Sequence, residues 1–202
     1  MTRHIKHVEL INDEDGSRVD YYPNWLSFKE SLKLFEQLKD LPFEQKAVVI
    51  PTGKVFQPRL TSWHGDPGKS YTYSGLTVTP NDWTPELTHL KDELTEFLGF
   101  PFNSVLANYY RDGSDSIGKH SDNEVGLGPT EDNKVIASVS FGELRELILK
   151  SRKGGVVHRV ELQCGSLLVM SGTTQRHWTH EISKTKRQVS GRINLTYRVI
   201  NG

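Results

Sequence analysis

The sequence lacks net charge. Its 25 basic and 25 acidic side chains cancel over 202 residues, so no global field draws it to nucleic acid or to a membrane surface, and any basic patch has to be local. Cysteine is almost missing as well. The single Cys164 excludes an internal disulfide and fits a reducing compartment; it is expected as a small, buried apolar side chain. No apolar run approaches membrane-spanning length, and the amino terminus, MTRHIKHVELINDEDG, carries no signal-peptide core. A soluble, intracellular protein of the cytoplasm or nucleus, with no membrane partner, is therefore expected. Internal repeats and low-complexity segments are missing too, and the length suits one domain with a substantial core.

What is present starts with a polar stretch, residues 1–23, ending in YYP, which suggests an extended or loosely structured leader. Ser27 followed by Glu30 offers a capping box, and Leu34, Phe35, Leu38 and Leu41 keep helical spacing until Pro42. A second helix opens with Thr84 and Pro85, carries Leu87, Leu90, Leu94, Phe97 and Leu98 as one stripe, and stops at Gly99. Short strands account for the rest: KAVVI (46–50), SYTYSGLTV (70–78), NSVLANYY (103–110), KVIASVSF (134–141), LRELILK (144–150), VVHRVEL (156–162), SLLVM (166–170) and GRINLTYRVI (191–200). Many strands after two early helices point to a β-sandwich or jelly roll with helices packed on one face.

One segment concentrates the chemistry. YRDGSDSIGKHSDNE, residues 110–124, is rich in carboxylates but is no calcium loop. With Asp112 in the first position, the obligatory glycine falls on Ile117 and the bidentate glutamate on Asn123. What remains is His120-Ser121-Asp122, whose first and last side chains share one face of an extended chain and can grip one metal ion. A third ligand is sought among the other histidines. His4, His7, His64, His89 and His158 are expected to be structural or solvated, whereas QRHWTHEI offers His177 and His180. Either would close a facial triad of two histidines and one carboxylate, the set that leaves three positions open on Fe(II).

A donor row lies downstream of the histidines. In GRINLTYRVI, Arg192, Asn194, Thr196 and Arg198 share one strand face and Ile193, Leu195, Tyr197 and Val199 the other. The row is either a solvated strand face or a cradle for a small dianion, since guanidinium forks bind carboxylates bidentately. Asn108 and Tyr110, two apart on one strand, could complete the same pocket.

Taken in order, PRLTSWHGD, YTYSGLT, FNSVLANYYRDGSDSIGKHSDNE, VIASVSFGELRELIL, CGSLLVMSG, HWTHEI and RINLTYR resemble the AlkB family of Fe(II)- and 2-oxoglutarate-dependent dioxygenases, and most closely its DNA-repair branch. The resemblance covers residues 55–200. It implies an α+β fold, a double-stranded β-helix (jelly roll) with N-terminal helices packed on one face. Residues 1–54 would form an extension that begins the nucleotide-recognition region, and 55–202 the jelly roll, in one compact unit. It implies iron ligands His120, Asp122 and His180, and 2-oxoglutarate contacts from Asn108, Tyr110, Arg192, Asn194 and Arg198.

The reaction it implies uses Fe(II), 2-oxoglutarate and O2, with ascorbate as reductant, to hydroxylate the N-methyl group of 1-methyladenine or 3-methylcytosine, releasing succinate, CO2 and formaldehyde. A monomer acting on methylated DNA in preference to RNA is expected, the base flipped out or single-stranded. RNA demethylation, a protein-directed dioxygenase and a non-catalytic metal-binding jelly roll are the alternatives. Base contacts are expected from Trp63, Tyr71, Tyr73, Ser74, Asn123 and Glu124. Phosphate contacts are expected from Arg59 and from the basic clusters 150–153 and 184–187. Ile50, Pro51 and Thr52 occupy the place of a duplex-probing wedge. One departure stands out: the residue after the aspartate ligand, commonly acidic in the repair branch, is Asn123 here.

Overall fold

A computed structural model describes residues 5–50, 53–69, 71–73, 76–123 and 134–201; for 48–50, 71–73 and 76–78 it describes the backbone only. The larger of two main sheets has seven strands in the order β1 (Val8–Asn12), β2 (Ser17–Tyr22), β13 (Leu167–Gly172), β10 (Ile136–Gly142), β15 (Arg192–Arg198), β8 (Ser104–Tyr110) and β5 (Leu60–Gly65). The smaller has four, β12 (Val157–Leu162), β11 (Arg145–Ser151), β14 (Trp178–Ile182) and β9 (Ile117–His120). Two hairpins stand apart: β3 (Ala47–Ile50) with β4 (Gly53–Phe56), and β6 (Tyr71–Tyr73) with β7 (Leu76–Val78). Helices α1 (Phe28–Leu38), α2 (Pro85–Leu98) and α3 (Thr174–His177) complete the fold. The architecture is a jelly roll of α+β class, with α1 and α2 on the outer face of the larger sheet.

Side-chain alternation explains the layering. On β8, β10, β13 and β15, residues such as Val105, Ala107, Val139, Phe141, Leu167, Ile193, Leu195 and Tyr197 face outward, where they pack with Leu34 and Leu38 of α1 and Leu87, Leu90 and Leu94 of α2. The opposite faces look inward to the smaller sheet, and Ile136, Leu168 and Met170 meet Leu147, Leu149, Val160, Leu162 and Ile182 there. Both faces of the central strands are therefore buried, and a polar row on an inward face enters the interior. Such burial contributes about 25 cal/mol for each Å² of apolar surface removed from water.

The helix ends behave as their residues demand. Ser27 accepts from the Glu30 backbone N–H at 3.3 Å, Thr84 accepts from that of Leu87 at 3.4 Å, and Gly99 takes the left-handed conformation at φ 64° that closes α2. Phe97 departs from the expected stripe. It lies at the edge of α2, 39% exposed, its ring edge-on to Tyr22 at 5.2 Å, while Leu98 joins the outer core.

Two sequence-based expectations change. The leader is not loose: β1 and β2 pair with each other, and β2 extends the larger sheet by pairing with β13, Leu167 opposite Tyr22. SYTYSGLTV forms two short paired strands, Tyr71 opposite Val78 and Tyr73 opposite Leu76, rather than one. No helix among the described residues is long and apolar enough to cross a membrane.

Candidate active site

The inward row of β15 meets its neighbours in register. Arg192 lies opposite Tyr110 and Asn194 opposite Asn108 on β8, and Asn194 lies opposite Ser140 on β10. Across the interior, β14 and β9 of the smaller sheet pair His180 with His120. One cavity is lined by Asn108, Tyr110, His120, His180, Arg192 and Asn194, together with Asp122, Ser138, Thr196 and Arg198. The inward direction of β15 excludes the solvated-face reading, since Arg192 is 1% exposed and Arg198 7%.

At one end of the cavity, ligand atoms of His120, Asp122 and His180 all lie within 4.8 Å of one another. The His120 Nε2 is 3.8 Å from one Asp122 oxygen and the His180 Nε2 is 4.0 Å from the other. His120 Nδ1 donates to the Gly118 carbonyl at 2.8 Å, so the lone pair of its Nε2 is directed to the carboxylate side. Burial pulls the His180 pKa down to about 4, against the attraction of Asp122, which leaves a neutral imidazole at physiological pH. Burial would raise Asp122, yet Arg198, His180, His120 and Lys134 together hold its carboxyl below the usual range. Two neutral imidazoles and one carboxylate form the donor set that suits Fe(II). The Asp122 backbone N–H donates to Gln175 Oε1 at 2.8 Å, fixing the segment between the histidines.

The other end is a buried cation. Arg192 donates through Nη2 to Ser140 at 3.0 Å, and its guanidinium lies 5.3 Å from the centre of the Tyr110 ring. Its Nε and Nη1 are buried without a hydrogen-bond partner. Burial lowers its pKa to about 10, so it stays charged at neutral pH. Buried donors of this kind are rarely left unmet, and a planar carboxylate matches them bidentately. Burial pushes the Tyr110 phenol up, against the pull of Arg192, Arg59 and Arg145, so it remains a donor. A dicarboxylate thus fits between the trio, beside Arg198, and Arg192.

Two of the expected site residues make contacts that the sequence did not show. Both amide hydrogens of Asn194 are taken, by Ser138 at 2.8 Å and by the Val139 carbonyl at 3.1 Å, so Asn194 orients the strand and has no donor left for a ligand. Arg59 donates to Asn108 Oδ1 at 2.8 Å, which aligns that amide inside the cavity wall. A phosphate-binding role for Arg59 has no support in this contact.

The remaining expected residues are scattered. Trp63 lies on β5 opposite Leu106, donating its indole N–H to Ser104 at 2.8 Å. Tyr71 and Tyr73 are the first and last residues of β6. Ser74, Glu124, Pro51 and Thr52 lie outside the described residues, and Ile50 ends β3. His177 is on α3, outside the trio. Within 150–153, Lys150 pairs with Glu181 at 2.9 Å, Arg152 donates to Ser121 at 2.9 Å and Lys153 pairs with Asp15 at 2.6 Å. Those cations serve the fold, whereas Lys184, Lys186 and Arg187 are exposed.

Sequence reasoning missed Ser138, Ser140, Gln175, Lys134 and Arg145. The serines had a signal, since they alternate with Ala137, Val139 and Phe141 in VIASVSF and so had to face inward. Arg145 reaches the carbonyls of Asp112 at 3.1 Å, Asp115 at 3.0 Å and Ser183 at 2.7 Å. It clamps the turn before β9, and no local pattern announces such long-range contacts.

A jelly roll with two histidines, one carboxylate and a buried arginine in one cavity defines a metal- and dicarboxylate-dependent oxygenase by architecture. Comparison with known proteins makes the class specific. The family model of the 2OG-Fe(II) oxygenase superfamily matches residues 18–198. The chain is 38% identical over 195 residues to alpha-ketoglutarate-dependent dioxygenase alkB homolog 3 of Mus musculus, covering 91% of this chain and 66% of that protein. It is 43% identical over 151 residues to DNA oxidative demethylase ALKBH2 of Mus musculus, covering 71% and 62%. With ALKBH2 of Arabidopsis thaliana it shares 34% over 213 residues, covering 92% and 67%. The solved structure of OsALKBH1 superposes with a TM-score of 0.58 at 17% identity, covering 89% of this chain and 97% of that one, and so shares the fold. The chain belongs to the 2OG-Fe(II) oxygenase superfamily and, within it, to the AlkB family. It spans about two thirds of the length of the mouse alkB homolog 3 protein.

Proposed function

We propose that this protein is an oxidative demethylase that removes N-methyl groups from damaged bases in DNA, 1-methyladenine and 3-methylcytosine among them. The observation that carries the reading is the pairing, in one cavity, of the His120–Asp122–His180 trio with the buried, half-unpartnered guanidinium of Arg192. The name of the mouse relative, DNA oxidative demethylase ALKBH2, supports DNA as the substrate in this reading. A monomer, and DNA over RNA, are parts of the same proposal.

In this reading His120, Asp122 and His180 hold Fe(II), Arg192 and Tyr110 hold the distal carboxylate of 2-oxoglutarate, and Arg198 provides positive charge beside the metal end. Asn108, aligned by Arg59, offers its free amide hydrogens to the same acid. With Fe(II), 2-oxoglutarate and O2 bound, the chemistry is insertion of one oxygen atom into a methyl C–H bond, the other oxygen passing to succinate as CO2 leaves. The resulting N-hydroxymethyl group then departs as formaldehyde, the C–N bonding electrons staying on the base nitrogen and the hydroxyl proton passing to solvent.

The chain's own residues set up that outcome. Burial keeps His180 deprotonated and its lone pair available. Gly118 fixes the ring of His120 by accepting from Nδ1. Leu106, Ile117, Leu147, Leu162, Leu168 and Ile182 line the cavity with apolar surface and exclude water from the reacting groups. Tyr71, Tyr73 and Trp63 are the aromatic residues assigned by this reading to stack an extruded base.

The test is incubation with Fe(II), ascorbate and 2-oxoglutarate of paired single- and double-stranded DNA and RNA oligonucleotides, each with one methylated base, read by mass spectrometry. Loss of one methyl mass from the DNA oligonucleotides is expected. Turnover of RNA alone would move the substrate to RNA, and succinate formation with no methyl loss anywhere would end the nucleic-acid reading.

A further inference from the structure

Two of the three residues of the trio are placed by backbone pairing and the third is not. His180 on β14 and His120 on β9 stand opposite each other in one sheet, but β9 ends at His120 and residues 121–123 belong to no strand. The neighbours of Asp122 are held through their side chains, Ser121 by Arg152 at 2.9 Å and Asn123 by Lys134 at 2.8 Å. Asp122 itself is buried, and its backbone N–H donates to a side chain, the Oε1 of Gln175 on α3, at 2.8 Å. A backbone N–H can only donate, so the oxygen of that amide has to face Asp122 and its nitrogen has to point away. There Nε2 donates to the sulfur of Met170, on β13 in the cavity wall, at 3.5 Å.

Helix α3 is in turn held by the amino-terminal hairpin of β1 and β2. The Thr174 hydroxyl, 1% exposed, accepts from the Arg18 backbone N–H of β2 at 3.0 Å and donates to the Ser171 carbonyl at 2.6 Å. The Thr173 backbone N–H donates to the Gly16 carbonyl at 3.2 Å, and its hydroxyl to the Asp15 carbonyl at 2.7 Å. A line of hydrogen bonds thus runs from the hairpin through α3 to the aspartate. Without the Gln175 oxygen the buried N–H of Asp122 is unpaired, and the chain after β9 has to turn to reach another acceptor, taking the carboxylate with it.

We infer that Gln175 is a positioning residue for Asp122, and that through it the amino-terminal hairpin sets the metal affinity of the trio. The inference rests on the reading of His120, Asp122 and His180 as the metal site and names what controls that site. Coupling of this kind is reciprocal, so metal held by Asp122 steadies α3 and β2 in return.

The experiment uses the metal-free full chain with Co2+ as the probe, without oxygen. Visible absorption of the bound ion gives Kd, with Asp122→Ala as the blank, and hydrogen exchange at the β2 and α3 amides is measured with and without Co2+. Gln175→Leu, which has no acceptor for the N–H, should raise Kd by about 10–100-fold, the range found when a partner that orients a metal ligand is lost. It should also abolish the slowing of exchange that Co2+ brings to wild type. Gln175→Glu keeps an accepting oxygen and should hold the wild-type Kd. Thr174→Val leaves Gln175 in place and cuts the bond to Arg18; it should raise Kd in the same direction, and it decides the matter if Gln175→Leu does not fold. A wild-type Kd in Gln175→Leu or in Thr174→Val overturns the inference, and so do equal losses in Gln175→Leu and Gln175→Glu, which would make packing and not the hydrogen bond the cause. Each of these leaves the trio as the metal site; Co2+ binding to wild type no better than to the blank overturns that reading as well.

Discussion

Replacing Arg192 by methionine should raise stability while abolishing cosubstrate binding. The side chain is 1% exposed, keeps one bond to Ser140 at 3.0 Å, and leaves Nε and Nη1 without partners. Burial takes its pKa from 12.5 to about 10, which corresponds to ~3 kcal/mol against the charged form in the ligand-free fold. The sign is fixed by the direction: the folded chain holds the proton more weakly than the unfolded chain, so the charge disfavours folding at neutral pH. Methionine is of similar length, removes the charge and gives up the Ser140 bond, at a loss of about 1 kcal/mol. The net gain is about 2 kcal/mol, or roughly 4–8 °C in Tm for a chain of this size. Thermal unfolding of the metal-loaded, oxygen-free protein with and without 2-oxoglutarate reads both halves. Wild type should gain about 2.7 kcal/mol at a hundredfold excess of ligand over Kd, and the variant nothing. A variant that is less stable than wild type and still responds to 2-oxoglutarate would refute the account of Arg192 as a buried cation awaiting a carboxylate.

Three further outcomes follow from contacts already described. Because the His180 pKa falls from 6.5 to about 4 on folding, the unfolded chain gains this proton first as pH drops. Up to ~3 kcal/mol of stability present above pH 6.5 should therefore be lost on the way to about pH 4. Urea unfolding of the metal-free protein measures it, and a His180→Gln variant with the same pH slope would sink the assignment. Arg59→Met should weaken 2-oxoglutarate binding several-fold by calorimetry, since Asn108 loses its 2.8 Å partner, while affinity for unmethylated single-stranded DNA stays put; the reverse pattern would return Arg59 to phosphate binding. Gly113→Ala should destabilise by about 1–3 kcal/mol, because a Cβ there would meet the Thr185 carbonyl at 2.5 Å, whereas Gly118→Ala meets nothing within 4 Å and should stay near neutral; equal Tm values for the two variants would show that the 110–116 turn yields freely.

Local pattern made some elements legible and long-range contact hid others. The stripe Leu87, Leu90, Leu94 and the caps Thr84 and Gly99 specify α2 without help from the rest of the chain. The alternation in RINLTYR gave the inward row, but not that both faces would be buried; that depends on helices far away in sequence covering Ile193, Leu195 and Tyr197. β9 has four residues and β14 has no clean alternation, so neither showed as a strand, although each carries a histidine of the trio. That the extended leader would join the larger sheet was hidden for a related reason. Its polar outer residues mask Ile11, Val19 and Tyr21, which pack into the inner core.

The acids of the 110–124 stretch divide by what holds them. Asp115 is 2% exposed and accepts from the Arg111 side chain at 2.8 and 2.9 Å; burial would raise its pKa, but Arg111 keeps it low. Asp112 takes the backbone and hydroxyl of Ser114 at 2.8 and 2.6 Å. Both carboxylates are thus spent on closing the turn, and Arg145 fastens it from the smaller sheet. Among the described residues, Asp122 is the carboxylate of this stretch with cationic and imidazole neighbours but no side-chain donor at bonding distance, the two histidine nitrogens standing 3.8 and 4.0 Å away. That spacing is too long for hydrogen bonds and is what three ligands leave when each is to lie about 2 Å from a common ion. The turn acids stabilise the fold, and Asp122 is held ready for the metal.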